Sequence, residues 1–174
     1  MKKFLLGLIL GLLILPLCAF LYLQSGSVQV ATAAAPFPFE KKITQIALKA
    51  RISREAPAQP GAPATPENLI AGAKLYRETC AVCHGLPGTP ETPTANGMYP
   101  PPPQLLRGKG VTDDPAGETY WKVANGIRLT GMPAYGKSWS EIQMWQVSQM
   151  LANAAHLPPE AVTLLTAAAG PRKP

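Results

Sequence analysis

The feature that most constrains this chain is the five-residue run from Cys80 to His84, which reads Cys-Ala-Val-Cys-His. Two thiols three residues apart lie on neighbouring positions of one helical turn, where both reach the two vinyl groups of a single porphyrin. His84 follows directly, so its imidazole reaches the iron from the same side. The run therefore predicts one covalently attached haem c, with Cys80 and Cys83 as the thioether positions and His84 as an axial iron ligand.

Three other interpretations of these five residues have less support. A thioredoxin-like dithiol follows a strand in a βαβ pattern, and no such strand precedes Cys80. A structural zinc site needs four ligands, but the chain offers only this run and the distant His156, and adjacent Cys83 and His84 are poorly placed to share one tetrahedral ion. The remaining alternative is structural, namely two buried thiols and a hydrogen-bonded core histidine.

The N-terminus carries an apolar segment, predicted as a transmembrane anchor over residues 1–24. Lys2 and Lys3 precede twenty consecutive uncharged residues, and a helix of that length spans about 30 Å, the thickness of a bilayer's hydrocarbon core. Basic residues before the span stay in the cytoplasm. This predicts a single-pass protein of the bacterial cytoplasmic (inner) membrane with its haem domain on the periplasmic side. A signal peptide is the alternative, with small residues near Ala31 to Ala35 as a processing site.

Residues 25–66 predict a periplasmic tether. A basic amphipathic pattern over residues 40–54 indicates a short helix that lies on a membrane surface or against a partner, or that is a solvated spacer. Four prolines from Glu55 to Pro66 predict a semi-rigid linker. Most of the net charge of +6 lies in residues 1–66, which hold seven of the sixteen basic residues and two of the ten acidic ones. The rest is nearly neutral, so nucleic-acid binding has no support.

The predicted haem domain covers residues 67–156 and begins with a helix. Thr65 is a good capping residue and Pro66 suits the first helical position. Gly72 and Tyr76 share the inner face one turn apart, and glycine there lets another helix approach closely. This helix delivers the cysteines to the haem.

A long loop from Gly85 to Pro103 follows, rich in glycine, proline and threonine. A loop of that length needs something to wrap, and a haem edge is suitable. The carbonyls of the prolines at 100–103 are free acceptors, and one of them is expected to accept the N–H of His84. Which proline does so does not follow from the sequence.

Two further helices are predicted in this domain. The first opens at Asp113-Asp114-Pro115 and ends at Asn125-Gly126, with a buried stripe formed by Trp121, Ala124 and Ile127. The second is capped by Ser138 or Ser140 and runs to about Ala155, with one face formed by Ile142, Trp145, Ser148, Ala152 and Ala155. Residues 157–174 predict a proline- and alanine-rich tail that contains at most one more weak helix.

The second axial position suits a methionine, because a thioether favours ferrous iron and raises the reduction potential. Met144 and Met150 lie on a regular helix, where packing explains them. Met132 is the better candidate of the two loop methionines, since Gly131 permits close approach of the backbone and Pro133 stiffens the loop. Met98 is then a packing residue over the haem, and His156 is expected to be an exposed C-terminal cap.

From about Glu67 to His156 the sequence resembles a class I cytochrome c domain. The resemblance rests on a helix with Gly72 and Tyr76, the Cys80-Ala-Val-Cys83-His84-Gly85 run, a proline-rich stretch ending at Leu105, a helix with Tyr120-Trp121, and Gly131-Met132-Pro133 before a helix with Trp145. It implies a small all-α fold in which the N- and C-terminal helices cross around one haem, with Gly72 and Tyr76 near Trp145. It also implies His84 and Met132 as axial ligands and a partly exposed haem edge.

These features predict a membrane-anchored, monohaem one-electron carrier of a respiratory chain, and no enzyme. An enzyme is not expected, because two occupied axial positions leave no site at the iron for a substrate. The partners of the carrier would be periplasm-facing redox proteins, such as a membrane dehydrogenase or oxidase complex. Two alternatives stay open. The protein is a fixed electron-transfer subunit of such a complex, or Met132 dissociates and the iron binds small gases or turns over peroxide.

Overall fold

The fold is described from a computed structural model, over residues 1–107 and 114–167. Every regular element in these residues is helical, which confirms the all-α prediction. The chain divides into two compact units, Met1–Glu40 and Lys41–Pro174. The α-helices are α1 (Lys2–Gln24), α2 (Glu40–Glu55), α3 (Pro66–Leu75), α4 (Ala81–His84), α5 (Pro93–Asn96), α6 (Ala116–Asn125), α7 (Glu141–Ala152) and α8 (Pro159–Thr166); a π-helical turn (Tyr76–Cys80) and a 3₁₀ turn (Ala154–His156) complete the set.

The first unit contains α1, a helix of 23 residues with no buried side chain. Its apolar length is sufficient to cross a membrane, and among the described residues it is the one helix that passes this test of length and composition. A signal sequence at an N-terminus passes the same test. The helix is therefore compatible with the predicted single-pass anchor.

In the second unit, α3 begins as the sequence predicts. The Thr65 side chain accepts a hydrogen bond from the Asn68 N–H at 3.4 Å, and Pro66 occupies the first turn. The helix then packs tightly on α7 at Gly72. A Cβ atom there would lie 2.1 Å from the carbonyl oxygen of Gln146 and 2.8 Å from Cβ of Met150, so only glycine permits this approach.

Trp145 is not the residue that meets this glycine. Its ring instead stacks on Tyr120 with the centroids 4.2 Å apart. Successive helical residues are rotated by about 100°, so Trp145 points to α6 while the backbone of Gln146 faces α3. A Cβ at Gly72 would thus meet first Gln146, the residue after Trp145, and Met150. The expected packing of Gly72 and Tyr76 near Trp145 stays a prediction.

Ser140 caps the N-terminus of α7. Its hydroxyl accepts the N–H of Gln143, and the Gln143 side chain accepts the N–H of Ser140. The predicted apolar face of this helix is wrong at its ends, because Ile142 is 46% exposed and Ala152 is exposed. The helix is central and is covered on several sides, so its buried set is wider than one stripe: Met144, Trp145, Val147, Ser148, Gln149, Met150 and Leu151.

Helix α6 buries a different stripe from the predicted one. Thr119 and Val123 are buried, whereas Trp121 is only partly so. The Trp121 indole N–H instead donates to a carboxylate oxygen of Glu55 at 3.1 Å, a contact that no helical periodicity reveals. Asp113, part of the predicted opening of this helix, lies outside the described residues, and the first helical residue is Ala116.

Residues 52–63, expected to be a helix end and a spacer, pack against α6 and α7. Ile52 and Ala62 are each 3% exposed. A Cβ at Gly117 would lie 1.9 Å from the carbonyl oxygen of Pro57, and the Gln149 amide donates to the carbonyl of Ala62 at 2.8 Å. Residues 52–63 therefore pack on the helical unit through buried backbone contacts. The domain boundary at residue 67 stays a prediction.

The predicted weak helix in the tail is present as α8. Ala161 and Leu165 are buried in the same core as Leu69 and Tyr76 of the N-terminal helical segment. The Arg77 guanidinium donates to the carbonyls of Leu164 and Ala167, the end of a helix where carbonyls lack partners and a cation is favourable. The second unit therefore extends beyond His156.

Candidate haem site

The Cys80 to His84 run lies on a continuous helical path that starts at α3. A π-helical turn from Tyr76 to Cys80 connects α3 to α4, which carries Cys83 and His84. Such single-turn π insertions shift the direction in which the following side chains point. Both cysteines are free thiols of intermediate burial, so neither is committed to a disulfide.

His84 is oriented by the proline-rich stretch. Its Nδ1 lies 2.8 Å from the carbonyl oxygen of Pro103, which confirms the expected proline contact and identifies the proline. With Nδ1–H donating to this carbonyl, the neutral ring presents Nε2 as its free lone pair. Burial lowers the pKa of His84, and the Pro103 hydrogen bond opposes that shift. A neutral, oriented imidazole is the form that binds iron.

Tyr76 holds the backbone directly after the second cysteine. Its hydroxyl donates to the carbonyl oxygens of Gly85 at 2.9 Å and His84 at 3.2 Å, and the residue is fully buried. Burial, followed by the effect of Cys80, raises the pKa of this phenol, so it stays a donor at any ordinary pH. The sequence indicated Tyr76 as a core residue but gave no sign of this hydrogen-bonding role.

We expect Tyr76→Phe to destabilise the holoprotein by about 1–3 kcal/mol, because the buried Gly85 carbonyl and the partly buried His84 carbonyl lose their hydroxyl donor while the ring still fills its place. Urea unfolding followed by circular dichroism measures this change. Tyr120→Phe is the matched control, since this tyrosine is partly exposed and should change stability much less. Equal effects in the two variants would contradict the assigned role of the Tyr76 hydroxyl.

The turn after His84 is closed by Gly85 and Gln104. Gly85 has φ +71°, a conformation that favours glycine, and a Cβ there would lie 2.1 Å from Oε1 of Gln104. The Gln104 amide donates to the carbonyl of Cys83 at 3.2 Å. The loop that follows the motif is therefore tied back to the motif by Pro103 and Gln104 together.

Met132 lies in the loop between α6 and α7, and the side chain of Met98 reaches the same loop. Met132 packs against the core together with Cys80, and its N–H donates to the Thr130 hydroxyl at 3.1 Å. A Cβ at Gly131 would lie 1.6 Å from the terminal methyl carbon of Met98. The glycine before Met132 thus makes room for Met98, which brings both methionines to one place.

The structure offers no support for His156 as an iron ligand or for a separate metal site in the described residues. His156 is exposed, in the 3₁₀ turn after α7, as expected. Within residues 1–107 and 114–167 no group of three or more His, Cys, Asp or Glu side chains is arranged to hold a metal ion. Burial, with a smaller effect of Cys83, raises the pKa of the Cys80 thiol to about 12.

Haem c fits the residues that the structure brings together. Two thiols lie one helical turn apart, a neutral imidazole has its Nδ1 engaged, and a thioether packs on the same core. The Arg107 guanidinium pairs with Glu91 through Nη1 at 3.8 Å. Its buried Nη2 has no hydrogen-bond partner in the described residues, and such a donor suits a group that carries carboxylates. Arg107 follows Leu105 and Leu106, which pack on the same core as Cys80.

Several supporting contacts were not predicted from the sequence. The long loop contains α5, which Thr92 caps by accepting the Ala95 N–H at 3.1 Å, and Thr-Pro before it was an available signal of a helix start. The Thr92 hydroxyl also donates to the carbonyl of Val82. The roles of Gln104 and Arg107 had no local signal, because both depend on distant parts of the chain.

One comparison with known proteins finds a match. The family described as cytochrome c oxidase, cbb3-type, subunit III matches residues 67–150. No curated protein and no solved structure is significantly similar to the chain. The match covers the helices that carry Cys80, Cys83 and His84 and the loop that carries Met132. Residues 67–150 therefore form a class I monohaem cytochrome c domain, a module of electron transfer that carries one covalently attached haem c.

Proposed function

We propose that Cys80 and Cys83 hold the haem through thioethers and that His84 and Met132 are its axial ligands. The observation that carries the proposal is the contact of His84 Nδ1 with the Pro103 carbonyl at 2.8 Å. This contact fixes the tautomer and the ring plane and leaves Nε2 for iron. The position of Met132 on the same core as Cys80 supports the sixth ligand.

The function that this site supports best is one-electron transfer between proteins. The bound haem supplies a reversible change of one electron at its iron. The chain's own residues keep the ligands in place: Pro103 and Tyr76 hold the His84 segment, and Gly131 to Pro133 present the thioether. With both axial positions filled, no substrate reaches the iron, so the protein is a carrier rather than an enzyme.

Met132→Ala tests the ligand set. We expect the oxidised parent to show the weak far-red band of sulfur bound to ferric iron, and the variant to lose this band and to have a lower reduction potential. Optical spectra and a redox titration measure both. Met98→Ala is the matched control, because Met98 lies beside the same loop and should leave the band in place. Loss of the band in Met98→Ala but not in Met132→Ala would move the ligand to Met98.

The same spectra address a ligand-binding function. Carbon monoxide binding by the reduced parent at neutral pH would show a displaceable sixth ligand and would favour a gas-binding or peroxidatic protein. We expect no binding in the parent and binding in Met132→Ala, since only the variant has an open position.

We propose that α1 is retained as a single-pass anchor in the bacterial inner membrane, with the haem domain on the periplasmic side. The support is the apolar length of α1 and the basic pair Lys2-Lys3 before it. We further propose residues 25–66 as the connection and 67–156 as the cytochrome domain, with 157–174 as its tail. Membrane fractionation with mass spectrometry of the N-terminus tests retention, and a mature chain that starts near Ala31 to Ala35 would show cleavage.

A second candidate is a fixed subunit of an oxidase or dehydrogenase complex. The description of the matching family, a subunit of a cytochrome c oxidase, favours it. Purification from mild detergent distinguishes the two functions. Stoichiometric copurification with an oxidase would support the subunit, whereas a monomer that exchanges electrons with several partners would support the carrier.

A further inference from the structure

Helix α2 has two apolar stripes on opposite sides, and the helical unit covers one of them. The covered stripe contains Ile52, 3% exposed, and the partly buried Leu48 one turn before it. The opposite stripe contains Ile43 and Ile46, at 62% and 61% exposed, together with exposed alanines at 47 and 50. These positions recur at spacings of three and four, so they line one face. This exposed stripe has no structural role within the unit.

Basic residues border the exposed stripe on both sides. Helical spacing places Lys42 and Lys49 along one edge and Arg51 along the other, and it places Arg54 at the C-terminal end of the stripe, one turn after Ala50. Arg51 pairs with Glu55 at 2.7 Å, and the other acidic residue of the helix is Glu40 at its first position. An apolar strip between two basic edges complements a surface that is apolar below and anionic above, as in helices that lie at a lipid interface.

The position of α2 in the chain brings it to such a surface. Fifteen residues, 25–39, separate the end of α1 from the start of α2. At full extension they span about 50 Å, so a membrane that holds α1 keeps α2 at a high effective concentration near its surface. A short stripe of two isoleucines and two alanines buries little area against a protein, but anionic headgroups add attraction at every flanking lysine or arginine.

We propose that the exposed stripe of α2, from Ile43 to Ala50, docks on the anionic lipid surface of the membrane and orients the haem domain there. The proposal rests on the proposed retention of α1 as an anchor. Orientation follows because the other side of α2 is fastened to the domain, through buried Ile52 and the hydrogen bond from Trp121 to Glu55. Docking of one stripe therefore fixes which face of the haem domain is turned to the bilayer.

The test is cysteine labelling of the full-length holoprotein in nanodiscs. Cys18→Ser removes the exposed free thiol, and Ala47→Cys then places a probe on the stripe. Gln45→Cys is the matched control, because it is exposed on the opposite side of the same helix. The reaction rate with a charged, water-soluble maleimide is compared in discs of neutral phosphatidylcholine and discs that contain anionic phosphatidylglycerol.

We expect phosphatidylglycerol to slow labelling of Ala47→Cys several-fold and to leave the labelling of Gln45→Cys unchanged. Adding Lys42→Gln and Lys49→Gln should reverse this protection, with docking weakened about fivefold for each lysine, as should high salt. Ile43→Ser with Ile46→Ser should do the same without a change of charge. Haem absorbance and circular dichroism verify that each variant is folded.

Two results would overturn the proposal. One would exclude lipid docking of the stripe, and the other would exclude the membrane anchor. Equally fast labelling of Ala47→Cys and Gln45→Cys in anionic discs that contain the chain would show that lipid does not cover the stripe; a protein partner would then be the candidate occupant. If the chain elutes separately from the discs, the anchor itself fails, and the docking proposal fails with it. Size-exclusion chromatography with haem detection separates these cases.

Discussion

A chain in which Cys80 and Cys83 are both replaced by serine should carry no covalently bound haem. The attachment needs sulfur, since a thiol adds to a vinyl group and a serine hydroxyl is far less nucleophilic. Haem staining of a denaturing gel measures the result, because denaturation removes any porphyrin held only by axial ligands. We expect full staining in the parent and none in the double variant. Each single serine variant retains one thioether and should give reduced staining.

Cys18→Ser is the control for this experiment. Cys18 lies in α1, outside the residues that match the cytochrome family, so its replacement should leave staining intact. Persistent staining in the double variant would mean that another residue holds the haem. The site assignment, and the axial role of His84 with it, would then have to be abandoned.

Gly72→Ala should destabilise the protein strongly even though alanine is the better helix former. Alanine gains about 1 kcal/mol over glycine in a helix. Its Cβ, however, would lie 2.1 Å from the carbonyl oxygen of Gln146 and 2.6 Å from the carbonyl carbon, and no rotamer change relieves a clash with backbone. The helices must separate, and overpacking of this kind costs about 1–3 kcal/mol or more. A clash with backbone belongs at the upper end of that range, about 3 kcal/mol, so we expect a net loss of about 2 kcal/mol after the helix gain, and a larger loss for Gly72→Val.

Thermal unfolding of the holoprotein, followed by circular dichroism, measures this loss. Gly97→Ala is the matched control, because a Cβ at Gly97 meets its nearest neighbour at 3.6 Å, an ordinary contact. It should leave the midpoint nearly unchanged. A Gly72→Ala variant as stable as the parent would show that α3 and α7 do not depend on close approach at this residue.

Local sequence patterns predicted the longer helices and several of their ends, and missed the short α5. Thr65 with Pro66 and Ser140 with Gln143 are caps whose hydrogen bonds close within three residues, so the information lies next to the element it defines. The His84 contact with a proline carbonyl was predictable for a similar reason, since the prolines offer acceptors and no donors. Choosing Pro103 among them required the path of the loop.

Contacts between distant segments were not predictable in this way. A helical wheel placed Trp121 in the core, but its indole reaches Glu55, 66 positions earlier in the chain. It gave α7 one buried face, but α3, α6 and the segment that ends in Ala62 surround this helix. Periodicity reports which side of a helix is apolar, and not how many neighbours that helix has. The axial ligands stay predictions for the same reason, because choosing between Met132 and Met98 depends on a loop that brings both together.

The packing of residues 52–63 on α6 and α7 changes the space that the haem explores. A connection of residues 25–66 would have 42 residues to move, but the segment between the end of α1 and the start of α2 is residues 25–39, which is 15 residues. The end-to-end distance of a flexible chain grows with the square root of its length, so the reachable volume falls to about one fifth. If α1 is held in a membrane as proposed, the haem domain is confined to a volume near α1 that is about five times smaller. The proline- and alanine-rich residues before Thr65 thus shorten the connection to the haem domain, because they pack on the domain.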